Sequence, residues 1–254
     1  MWSFRAWRRR CLLARAELPQ SQWREQVGSL ALLRGLSADE LARLQRLVWL
    51  FLAEKAVVGV QGLELSDGMR LRIAAQACLP VLELGLGSYR NLEVVLVYPG
   101  EFVARHEYED EAGVVHQEAV GLSGEAWVQG PVILSWEDVA GEPQAGINLV
   151  IHEFAHKLDM LSGAANGLPP LHADMSVAQW GADFSAAYSD MARRVELGEA
   201  TVLDAYAVED PAEFFAVMTE AFFAAPGLLL RSYPGVYGQL RHFYRQDPAL
   251  RQGC

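Results

Sequence analysis

Two histidines and a glutamate are the residues best equipped for chemistry. In Asn148-Leu149-Val150-Ile151-His152-Glu153-Phe154-Ala155-His156-Lys157-Leu158-Asp159, an apolar run leads into His-Glu-x-x-His. On an α-helix, residues four apart lie one above the other, about 40° apart around the axis and roughly 6 Å along it. His152 and His156 can therefore hold one ion between their rings. Glu153 projects from nearly the same face, placed to take a proton from a metal-activated water. This is the chemistry of a zinc-dependent peptidase. The plain alternative is an amphipathic helix with two surface histidines. Against it, Val150, Ile151, Phe154, Ala155 and Leu158 make the surroundings apolar, where imidazoles and a carboxylate need partners.

Such a site needs a third ligand. A further histidine in the pattern His-x-x-Gly-x-x-His is absent, since Asp159 and Ser162 stand at those positions, and the metzincin arrangement is excluded. Asp159 reads as an outer group orienting a histidine ring. The third ligand is sought between Tyr206 and Glu220. There Asp210-Pro211 opens a helix, with Asp at the N-cap and Pro in the first turn. Glu213 falls at the third helical position, where it could equally close a capping box. Glu220 lies seven residues on, along the same face. Helical geometry leaves these two glutamates open as ligands.

The rest of the chain must position these groups. Its 254 residues are 52% hydrophobic and 21% charged, enough for an ample core. A net charge of −11 argues against direct nucleic-acid binding. Cys11, Cys78 and Cys254 are odd in number and far apart, which excludes a disulfide framework and points to a reducing cytoplasm. Arg5, Arg8, Arg9 and Arg10 precede an apolar run too short for a signal peptide and read as a solvated basic arm. Leu47 to Ala53 is apolar but bracketed by Arg46 and Glu54, so it reads as a buried helix and not a membrane span.

The pattern predicts a helical N-terminal portion over 1–90, with helices from Ser21 to Leu33, from the capping box Ser37-x-x-Glu40 to Lys55, and from Asp67 to Cys78. A core over 91–254 follows. Strands are expected over Leu92–Tyr98, Val103–His106, Val114–Val120, Ala126–Val128 and Val132–Trp136, forming a small mixed sheet. The stretch from Gly124 to Trp136 could supply an exposed edge along which an extended substrate aligns. His106 and His116, among Glu107, Glu109, Asp110 and Glu118, match no ligand spacing and read as a solvated loop. The histidine helix is expected from Gly146 to Leu161, then a loop that could cover the site over 162–176. Helices from Val177 to Leu197 and from Pro234 to Tyr244 complete the expectation, the first with Trp180, Phe184, Ala187, Tyr188 and Met191 as its apolar stripe. His172 reads as a loop residue.

The stretch from Asn148 to Met160, with Asp204-Ala205-Tyr206-Ala207 and Asp210-Pro211-Ala212-Glu213-Phe214-Phe215-Ala216-Val217, closely resembles the Mlc titration factor A family of bacterial zinc-dependent peptidases. The likeness covers roughly residues 90 to 250, and the core also resembles that of the anthrax lethal factor metalloprotease. The resemblance implies an α+β, zincin-like fold of the gluzincin type, one Zn²⁺ per chain and aminopeptidase-like activity on peptides. It implies that Glu213 joins His152 and His156 as ligand, that Glu153 is the general base, and that Tyr206 stabilises the oxyanion. Glu220 becomes an outer or structural residue. The family's name implies a second role, binding a transcriptional repressor of sugar-uptake genes. A purely structural zinc domain fits less well, because no fourth protein ligand suggests itself.

Overall fold

Capping signals and a glycine set the bounds of the first helices. The computed structural model describes residues 7–9, 11–12, 20–100, 102–109, 115–122, 124–126, 130–141 and 146–253. Helix α1 (Gln20–Gln26) stops well short of Leu33. Gly28 turns the chain there, where a Cβ would lie 2.6 Å from the Arg24 carbonyl oxygen. α2 (Ala38–Glu54) begins at the expected capping box, with Ser37 N donating to Glu40 Oε2 at 2.7 Å. It buries Leu44, Val48, Leu50 and Phe51. Arg9 clasps Glu54 at its end through two hydrogen bonds of 2.7 and 2.8 Å, so this arginine is pinned and not part of a solvated arm. Arg5 and Arg10 lie outside the described residues. α3 (Asp67–Cys78) is capped by Ser66.

A strand not foreseen, β1 (Ala56–Gly59), separates α2 from α3. It pairs in parallel with β2 (Val94–Tyr98), which pairs in parallel with β6 (Val132–Ser135). β5 (Gly124–Ala126) lies antiparallel to β6 and ends the order β1-β2-β6-β5. The stretch expected to form a substrate edge is therefore divided. Val132–Ser135 is central, and Gly124–Ala126 is at the edge. β3 (Phe102–Glu109) and β4 (Val115–Leu122) make a separate antiparallel ribbon. His106, Glu107, Glu109, His116 and Glu118 thus lie on strands and not in a loop, with His106 opposite Glu118 and His116 opposite Tyr108, while Asp110 lies outside the described residues. The side chains of β3, β4 and β5 lie outside the described residues. Trp136 opens a short helix, α4 (Trp136–Ala140), instead of ending a strand, because the Ser135 hydroxyl caps it by accepting from Asp138 N at 3.4 Å.

The histidine helix, α5 (Leu149–Asp159), packs on α7 (Pro211–Ala224). α6 (Val177–Glu196) buries Trp180, Phe184, Ala187 and Met191 along the expected stripe. The chain closes with α8 (Pro226–Ser232), α9 (Pro234–Tyr244) and α10 (Pro248–Gln252). His172 anchors the loop before α6, its Nε2 lying 2.8 Å from the Phe243 carbonyl oxygen. Among the described residues no helix is long and apolar enough to cross a membrane.

Aromatic packing fixes the two helices that matter most. Phe154 of α5 is fully buried, its ring 5.8 Å from that of Phe51 and 4.9 Å from that of Tyr89. Each such ring contributes about 1.5–3 kcal/mol through burial. The N-terminal helices thereby hold the helix that carries the histidines. α7 is buried almost all round, with Phe214 and Phe215 against α6 and Phe222 and Phe223 against α9. Polar groups on so apolar a helix persist only where they have partners. Its two glutamates have them.

Candidate metal centre

α5 starts at Asn148, whose side-chain oxygen accepts from Ile151 N at 2.9 Å. That cap sets the helical phase and turns His152 and His156 to one side. α7 starts at Asp210, whose Oδ1 accepts from Ala212 N at 2.7 Å and Glu213 N at 2.9 Å. Asp210 so satisfies the helix start by itself. The Glu213 carboxylate is free to turn away from the cap and reaches the two rings: Oε2 lies 3.0 Å from His152 Nε2, and Oε1 lies 3.4 Å from His156 Nε2. The two Nε2 atoms are 3.2 Å apart.

These three donors form a closed triangle, with all ligand atoms within 4.8 Å of one another. Zinc bonds of 2.0–2.1 Å at tetrahedral angles would set ligand atoms about 3.3 Å apart. The two Nε2 atoms are 3.2 Å apart, near that edge length, and each lies within 3.4 Å of one of the two Glu213 oxygens, Oε2 for His152 and Oε1 for His156. Two imidazole nitrogens and a carboxylate oxygen facing one another need a shared electrophile, either protons or a metal ion. The residues present fit the metal.

Glu220 occupies a different place. Its Oε1 lies 2.6 Å from His152 Nδ1, the ring nitrogen opposite Nε2, and its Oε2 accepts from Asn148 N at 2.5 Å. One carboxylate therefore fixes both a ring and the cap of its helix. Glu153 is 4% exposed. Tyr206 sits in a single 3-10 turn, Ala205–Val208, its ring 6.3 Å from that of His152 and 47% exposed. The turn is pinned by Asp204 Oδ1 accepting from Tyr206 N and by the Tyr188 hydroxyl donating to the Val208 carbonyl. Asp159 has a role beyond the expected one. Its Oδ2 accepts from Asn166 N at 2.8 Å and Gly167 N at 2.7 Å, so this oxygen ties down the following loop, while the charge of His156 also acts on the carboxylate. Gly167 permits this with φ of +77° and an approach to the Pro211 carbonyl that leaves no room for a Cβ. Among the described residues the Nδ1 of His156 has no hydrogen-bond partner.

Residues 4–245 match the family described as glucose-regulated metallo-peptidase M90. The chain belongs to the M90 metallopeptidase family. The match takes in the N-terminal helices as well as the core. Relatives named Mlc titration factor A are close over almost the whole length. The protein of Cronobacter sakazakii is 45% identical over 249 residues, covering 96% of this chain and 92% of that one. That of Klebsiella pneumoniae is 44% identical over 243 residues, covering 93% and 89%. That of Salmonella arizonae is 46% identical over 229 residues, covering 88% and 90%.

In this M90 chain the charges of the metal-free centre follow from burial and pairing. Burial works to lower the His152 imidazole, but Glu213 and Glu220 outweigh it and raise it well above its usual value. Burial works to raise the Glu213 carboxyl, but hydrogen bonds from His152 and His156 hold it down at about 2. Burial pushes Glu153 up to about 7, against the pull of the two histidines. A dication beside it would draw that value down again. Burial and the charges of Glu213 and Glu209 push the Tyr206 hydroxyl up to about 12, so it keeps its proton and stays a donor at neutral pH.

Two cavities lie at the starts of the two helices that carry the centre. One of about 530 Å³ is lined by Arg72, Gln76, Asn148 and Leu149 at the start of α5. The other, of about 400 Å³, is lined by Gly167, Trp180, Phe184 and Pro211 beside the start of α7. Sequence reasoning missed Asn148 and Gln76. The first has a legible signal, an asparagine just before an apolar helical run. The second has none, since its partner lies 72 residues away.

Proposed function

We propose that the chain is a zinc-dependent peptidase of the gluzincin type, cytoplasmic and aminopeptidase-like. The carrying observation is the closed triangle of His152 Nε2, His156 Nε2 and a Glu213 oxygen, with Glu153 buried on the same helix. Two histidines from one helix and a glutamate from a second support the gluzincin assignment. Membership of a metallopeptidase family supports peptide substrates. The aminopeptidase character rests on the resemblance carried by the His-Glu-Phe-Ala-His and Asp-Pro-Ala-Glu-Phe-Phe stretches.

Zinc, when bound by His152, His156 and Glu213, would acidify a water and polarise the scissile carbonyl. The chain's own groups divide the remaining work. Glu153 accepts the proton of the attacking water on a carboxylate oxygen, then delivers it to the nitrogen of the leaving amine. Tyr206 donates its hydroxyl hydrogen to the oxygen of the carbonyl under attack as charge develops there. Glu220 accepts the Nδ1 proton of His152, which leaves the Nε2 lone pair turned towards Glu213 and His156. The substrate backbone aligns along β5, the antiparallel edge of the sheet.

The name of the relatives favours a second role, binding a repressor protein, compatible with the first. Glu153→Gln separates the two. Hydrolysis of a fluorogenic aminoacyl substrate should fall at least about hundredfold, while bound zinc and repressor binding persist. Unchanged hydrolysis in this variant would remove Glu153 from the chemistry.

A further inference from the structure

Asn148 uses every polar group it has. Its Oδ1 accepts from Ile151 N at 2.9 Å, its carbonyl accepts from His152 N at 3.0 Å, and its own N–H donates to Glu220 Oε2 at 2.5 Å. Because Oδ1 must face the helix to cap it, Nδ2 must face the other way. There it donates to Gln76 Oε1 at 2.6 Å. Gln76 is only 3% exposed, and its own orientation is set by Nε2 donating to the Arg72 carbonyl at 3.2 Å. Glu220 completes the line by facing His152 Nδ1 at 2.6 Å.

We propose that Gln76, on α3, is a positioning residue for the metal centre, acting through Asn148 and Glu220 on the ring of His152. The inference rests on the metallopeptidase reading above and extends it to the N-terminal helices. Without the Gln76 oxygen, the Asn148 amide loses the partner that fixes its orientation. Its donor then loses the partner that holds it in place, or the amide turns over and loses the cap. In either case the Asn148 N–H shifts, and with it the carboxylate that orients His152. Fixing a ligand ring through its outer hydrogen bonds is worth about 10–100-fold in metal affinity.

The test is zinc affinity, measured by competition with a chromophoric chelator on the full-length metal-free protein, with circular dichroism as the check on folding. Gln76→Met keeps the length and removes the oxygen. It should weaken zinc about tenfold. In a Glu220→Gln background, where the line to His152 is already cut, Gln76→Met should weaken zinc no further. Gln76 lines the cavity at the start of α5, so an apolar side chain has room, and Gln76→Leu gives the same comparison should the methionine variant not fold. Wild-type affinity in the apolar variants would overturn the proposal, as would an equal loss with and without Glu220. A wild-type protein that binds no zinc would instead sink the metallopeptidase reading, a distinct result.

Discussion

Replacing Glu220 by glutamine exchanges one oxygen for an NH2 group where two donors converge. In the native chain Oε2 accepts from Asn148 N at 2.5 Å and Oε1 faces His152 Nδ1 at 2.6 Å. Glutamine has a single accepting atom, which cannot stand in both places. If its oxygen stays on Asn148, its NH2 faces Nδ1 and can only donate. Nδ1 must then accept, and the ring proton moves to Nε2, the atom 3.0 Å from Glu213 and 3.2 Å from His156. That proton blocks metal ligation. If the amide turns over, His152 keeps its useful tautomer, but the Asn148 N–H is buried against an NH2, at a cost of about 1–3 kcal/mol. Zinc binding must take the cheaper of these routes. At about 1.4 kcal/mol per tenfold, the loss is between roughly fivefold and a hundredfold. The assay is chelator competition at pH 7, with thermal unfolding of the metal-free protein as the control for folding. Zinc affinity within twofold of wild type, in a variant of native stability, would refute the reasoning.

Two further outcomes follow from the same geometry. Tyr206→Phe removes one donor to the developing oxyanion, so kcat should fall by about 10²–10³ with KM and bound zinc unchanged; a change in KM alone would place the tyrosine outside the chemistry. In the metal-free chain Glu213 and Glu220 raise His152 well above its usual value, so at pH 7 the ring carries a proton that Nε2 must give up to a metal. Zinc binding should therefore release about one proton or more, and affinity should rise with pH through neutrality; calorimetry in buffers of differing ionisation enthalpy checks this, and zero release would contradict the charge assignment.

The residues with the most regular spacing were legible before the structure. His152, Glu153 and His156 declare themselves by a four-residue interval inside an apolar run. Ser37 and Glu40, and Asp210 with Pro211, mark helix starts that the structure reproduces. The division of labour between Glu213 and Glu220 was not legible from spacing, because two turns of one helix put both on the same face. It depends on Asp210 satisfying the cap alone, which frees Glu213, and on Asn148 drawing Glu220 to the other side of the ring. β1 was missed because four residues directly after a long helix carry no alternation to read. The first helix was drawn too long because Gly28 reads as tolerable in a helix until the close approach to Arg24 is known. The hold of Asp159 on the following loop was not legible, because the backbone N–H groups of Asn166 and Gly167 that its Oδ2 accepts from carry no side-chain signal.

The central claim is that His152, His156 and Glu213 together hold one catalytic zinc. Metal analysis of the purified wild type beside Glu213→Ala tests it most directly. About one zinc per chain in the wild type, lost in Glu213→Ala along with peptide hydrolysis, is the result expected of an open three-ligand site. Full zinc retained at wild-type affinity in Glu213→Ala would contradict it and return Glu213 to a merely structural place at the start of its helix.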